Sequence, residues 1–87
     1  MEVAAKIKIM PKGIGTDFEK LKADILAVMP EGARLQGFAE EPIVFGLKAL
    51  MAVVLVEDAE GGTEKVEEAF VKVHGVESVQ VIDLGRI

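Results

Sequence analysis

Residues 41–63 read EPIVFGLKALMAVVLVEDAEGGT, and the fold turns on them. From Leu47 to Glu57 the chain is nearly all Leu, Met, Ala and Val, which is the composition of a central strand buried along most of its length. An apolar tip, Val44-Phe45-Gly46, precedes this strand, and an acidic turn, Asp58-Ala59-Glu60-Gly61-Gly62, follows it. A bulky ring beside a glycine in the connection between two strands is where a small domain offers an anchor to a partner. The plain alternative is a core ring folding back over the sheet edge, and the sequence leaves both open.

Working outward, Val3, Ala5, Ile7 and Ile9 alternate with Glu2, Ala4, Lys6 and Lys8, a period of two that predicts a strand with one buried face. Pro11-Lys12-Gly13-Ile14-Gly15 breaks it. Thr16 with Glu19 three residues later matches a capping box, and the helix it opens carries Phe18, Leu21, Ile25 and Val28 on one face before Pro30. Ala33 to Glu40 is a weaker strand, interrupted by Gly37 and followed by Pro42, as suits a sheet edge. Beyond the acidic turn, Thr63 is expected to cap a second helix with Val66, Ala69, Phe70 and Val73 at helical spacing. Gly75 is expected to end it in the left-handed conformation, and Val76 to Leu84 to form the last strand.

The order is therefore βαββαβ. It predicts an α+β, ferredoxin-like sandwich: a four-stranded antiparallel sheet with two helices on one face and the first and third strands in the middle. At 87 residues the chain is expected to be a single domain, 1–87.

Composition narrows the function. Without cysteine there is no disulfide, thiolate metal site or cysteine nucleophile, and the protein must be held by packing. No apolar run approaches a transmembrane span, so a soluble cytoplasmic protein is expected. A formal charge of -5 disfavours direct nucleic-acid or anionic-membrane binding, since neutralising phosphates takes clustered Lys and Arg. One His, one Ser and two Thr, with no Asn or Tyr, supply few nucleophiles or proton shuttles, so an enzyme is not expected.

The remaining polar candidates have ordinary readings. Glu57, Asp58 and Glu60 lack the spaced ligands of a calcium loop and are expected to be a solvated acidic turn, so no metal and no cofactor are expected. Glu40 and Glu41 are adjacent and point apart if extended, which argues against a paired acid and base. His74, just before Gly75, suits a helix C-terminus, where a protonated imidazole offsets the dipole. Gly61-Gly62-Thr63 lacks the Lys and spacing of a phosphate loop. Arg86, one residue from the end, is either a frayed surface charge or a guanidinium delivered by the last strand to one end of the sheet.

Taken together, KIKIMP, MPEG, EEPIVFGLKAL, VVLVEDAEGGT and the ending VQVIDLGRI resemble, over the full length, the elongation factor 1-beta and 1-delta exchange-domain family in its archaeal form. The resemblance implies a guanine-nucleotide exchange factor for the GTPase elongation factor 1-alpha, with its GDP or GTP and magnesium, and no bond-making chemistry. It implies that Phe45 and Gly46 dock on the GTPase and that Arg86, with Ile87 at the chain end, reaches toward the magnesium and phosphate region. The eukaryotic domain usually has Lys where this chain has Arg86, and a forked guanidinium does not insert as an ammonium does. Without the long N-terminal region of the eukaryotic forms, the protein is expected to work alone or with its GTPase. The competing reading of the same topology is an ACT-like regulatory domain that binds a small ligand.

Overall fold

Alternation along the first strand, β1 (Glu2–Pro11), puts Ala5, Ile7 and Ile9 wholly out of solvent while Lys6 between them is exposed. The computed structural model describes residues 2–57 and 62–86, with only the backbone for Gly62 and Arg86. After β1 come α1 (Phe18–Ala27), β2 (Ala33–Pro42), a single tight turn at Val44–Gly46, β3 (Lys48–Glu57), α2 (Gly62–Val71) and β4 (Val76–Arg86).

Among the described residues the strands form one antiparallel sheet in the order β2-β3-β1-β4. This is the ferredoxin-like α+β arrangement, with β1 and β3 central. Leu50, Ala52, Val54 and Val56 of β3 join Ala5, Ile7 and Ile9 in one core with Leu21 and Ile25 of α1 and Val66 and Phe70 of α2, so both helices lie on the same face. Ala49 and Met51, on the opposite side of β3, are buried too, and this two-sided burial is why the strand reads as a continuous apolar run. The edge strand β2 slips register between Leu35 and Gly37, which leaves Gln36 as an extra residue. The β1–β4 pairing slips twice, between Lys6 and Ile7 and between Met10 and Pro11.

Three local expectations need correction. The N-cap of α1 is Asp17, whose carboxylate accepts from the Glu19 and Lys20 amides, while the Thr16 hydroxyl donates back to the Gly13 carbonyl at 2.9 Å. With two capping-competent residues in a row, the Thr16 side chain is taken up by the loop, and Asp17 satisfies the first turn. Thr63 lies inside α2, which begins at Gly62. Gly75 does have positive φ, at +94°, but it sits in a turn closed by the Val76 amide on the Val73 carbonyl, beyond the end of α2 at Val71. The helix stops earlier because the Val73 amide bonds the Phe70 carbonyl, tightening the final turn and leaving His74 exposed in the connection.

The domain measures 39 × 21 × 17 Å. The β1–α1, β2–β3 and α2–β4 connections gather at one end, where Pro11 pairs with Val76 and Pro42 with Lys48. At the other end Val3 pairs with both Val56 and Arg86.

Candidate functional site: an aromatic turn at one end of the sheet

The chain leaves β2 at Pro42, which lacks an amide hydrogen and suits a strand terminus. The Ile43 amide then donates to the Leu47 carbonyl at 2.7 Å, and the Leu47 amide to the Val44 carbonyl at 3.2 Å, closing the turn. Its two central residues both have positive φ, Phe45 at 59° and Gly46 at 78°. This is the left-handed pairing of a type I′ hairpin turn, which Asn-Gly or Gly-Gly fills without strain. Gly46 takes its place freely, whereas a residue with a Cβ is disfavoured there by roughly 1 kcal/mol.

Phe45 is the one described non-glycine residue with positive φ, and it is 89% exposed. Neither the backbone strain nor the hydration of the ring is offset by packing. The core reading of Phe45 is therefore excluded, and a strained, exposed aromatic is the kind of outlier from which a functional role is argued. Val44 beside it is 63% exposed.

The base of this hairpin is tied to α1 by charge. Lys22 reaches Glu40 at 3.3 Å and Glu19 at 3.4 Å, and Lys48 lies 3.7 Å from the other Glu40 oxygen. The hydrogen bond from Lys22 to Glu40 raises the Lys22 pKa, opposed by partial desolvation and helped by Glu19. Glu40 shares the helix-side row with its partner Leu50, and Glu41 pairs with Ala49, so the two carboxylates do not form a catalytic pair.

Arg86 is the last residue of β4, its backbone paired with Val3. Its side chain, Ile87 and the turn residues Asp58 to Gly61 lie outside the described residues. Among those described, no three His, Asp or Glu side chains are grouped to hold a metal, and no helix is long and apolar enough to cross a membrane. Phe45 and Arg86 are not brought together. The strand from Lys48 to Val56 that separates their two ends spans roughly 27 Å.

Sequence reasoning missed Ile14, which is 69% exposed on the β1–α1 loop at the same end as Phe45. The available signal was an isolated Ile between two glycines, in a loop with no period to bury it.

What fold and turn define is a ferredoxin-like α+β domain that presents a strained aromatic residue to solvent at one end of its sheet. Residues 4–87 match the EF-1 guanine nucleotide exchange domain. The chain is 64% identical over 85 residues to elongation factor 1-beta of Methanococcoides burtonii, covering 98% of this chain and 96% of that one. Against elongation factor 1-beta of Methanosarcina barkeri it is 60% identical over 87 residues, covering 99% and 98%. Against that of Methanobrevibacter smithii it is 49% identical over 86 residues, covering 99% and 97%. The chain belongs to the EF-1 guanine nucleotide exchange domain family.

Proposed function

We propose that the chain acts as one exchange domain in the cytoplasm, promoting replacement of GDP by GTP on elongation factor 1-alpha without making or breaking covalent bonds. The observation that carries this reading, beside family membership, is Phe45: an 89% exposed ring held in a conformation that costs energy and returns no packing within the domain. A rigid aromatic loses little entropy on docking, so it suits an anchor.

Exchange is then a linkage. A factor that prefers the nucleotide-free GTPase lowers nucleotide affinity by the same factor that nucleotide lowers affinity for it, and a coupling of roughly 3 kcal/mol corresponds to about a hundredfold. Phe45 with Gly46 anchors the complex. Arg86, followed by Ile87, acts at the far end of β4, disturbing the magnesium and phosphate region of the GTPase, where removal of the ion leaves phosphate charge uncompensated. With the two ends roughly 27 Å apart, the factor spans its partner and does not grip it at a single point. GTP then rebinds from solution and releases the factor.

The test is release of a fluorescent GDP analogue from elongation factor 1-alpha, chased with unlabelled GDP, while catalytic amounts of this protein are added. Acceleration in proportion to the factor is expected. An unchanged release rate with a competent GTPase would remove the exchange reading.

A further inference from the structure

Among the described residues, the three most exposed large hydrophobic side chains are Phe45 at 89%, Ile14 at 69% and Val44 at 63%. They come from two loops distant in sequence, and both loops lie at the same end of the sheet. Single exposed hydrophobics need no explanation, but a gathered set marks a contact surface.

The Ile14 loop is held in place. Its Lys12 amide donates to the Gly75 carbonyl at 2.9 Å, and the Thr16 hydroxyl donates to the Gly13 carbonyl at 2.9 Å. Ile14 is therefore presented from a loop pinned to the α2–β4 turn at Lys12 and closed across Ile14 by Thr16. Between it and the aromatic turn lies a hollow of about 170 Å³, bordered by Ile14, Thr16 and Phe18 on one side and Glu40, Gly46 and Lys48 on the other. Pockets for drug-sized ligands run from about 300 Å³ upward, and this smaller open hollow is of a size to receive one side chain of another protein. The Glu40–Lys48 pair and Thr16 border the hollow itself, so the two apolar tips flank a polar recess that suits a polar or charged side chain.

We infer that Ile14 is a second anchor for elongation factor 1-alpha, continuous with the Phe45 turn, and that the hollow between the two loops receives a side chain of that GTPase. This inference rests on the exchange-factor reading. It divides binding at this end between two loops, one strained at Phe45 and one pinned to the α2–β4 turn.

The test is calorimetric titration of nucleotide-free elongation factor 1-alpha with the wild type, Ile14→Lys, Ile14→Val and Phe45→Ala. Ile14→Lys is expected to raise Kd about tenfold or more, and Ile14→Val to stay within about twofold. Because Ile14 is exposed, the variants should melt with the wild type, so lost binding would not reflect lost folding. Wild-type affinity in Ile14→Lys beside weakened binding in Phe45→Ala would overturn the inference and leave the docking reading standing. Failure of the wild type itself to bind would bring down the exchange reading, and this inference with it.

Discussion

Phe45 and Arg86 stand at opposite ends of one sheet: Phe45 lies past the Pro42–Lys48 pair, while Arg86 is paired with Val3, whose other partner is Val56. Contacts this far apart are expected to act separately. Truncating Arg86 and Ile87 should lower the maximal exchange rate and leave most of the affinity for the GTPase. Phe45→Ala should instead raise the factor concentration needed for half-maximal exchange by tenfold or more, the loss of about 1.4 kcal/mol or more from a hot-spot aromatic. A titration of exchange rate against factor concentration separates the two. Equal maximal rates with and without the last two residues would remove Arg86 from the mechanism.

The left-handed backbone of Phe45 yields a prediction about stability alone. Replacing an exposed ring loses little packing, so Phe45→Ala should melt near the wild type. Phe45→Gly should be more stable than Phe45→Ala by about 1 kcal/mol, reversing the usual order, because Gly, unlike Ala, accepts φ of 59° without a Cβ clash. For a domain of this size that is a Tm difference of about 4–8 °C. An Ala variant as stable as the Gly variant would mean that the turn carries no such strain.

How much of this was legible in the sequence differs by element. β1 and β3 were readable because burial on one face enforces strict alternation and burial on both enforces a continuous run, as Ile7 and Met51 respectively illustrate. Phe45 was readable as a candidate but not as exposed, since periodicity carries no information about which way a turn residue points. Positive φ at Gly75 was foreseen; its place in a separate turn was not, because the Val73 amide bonding to Phe70 depends on how α2 ends. Ile14 escaped notice because its neighbourhood is recognisable only once the β2–β3 turn has been folded beside it. The link to nucleotide exchange rests on whole-length resemblance, since no side-chain cluster among the described residues spells out that activity.

The N-cap of α1 can be tested by substitution. Asp17→Ala should cost about 1 kcal/mol, because the Glu19 and Lys20 amides lose their acceptor in the first turn. Thr16→Ala should cost less, since its hydroxyl serves a loop carbonyl that water can reach. Thermal melts of the two variants decide the order. If Thr16→Ala were the more damaging, Thr16 would be the cap and the helix would start one residue earlier.

The Lys22–Glu40 link carries a pH dependence with a definite sign. Glu40 raises the Lys22 pKa in the folded chain above its ordinary 10.5, whereas in the unfolded chain the partner is gone. A group whose pKa is raised on folding binds its proton more tightly in the native state, so its contribution is complete below about pH 10.5 and disappears as pH climbs through the raised value. Melting temperature is therefore expected to fall in alkaline solution more steeply for the wild type than for Lys22→Met, with the two curves converging above the folded-state pKa. The same comparison in added salt should shrink the difference, since the pair lies near the surface and is open to screening. Parallel alkaline profiles for the two proteins would show that Lys22 gains nothing from Glu40 on folding, and the tie between α1 and the base of the aromatic turn would then have to rest on packing.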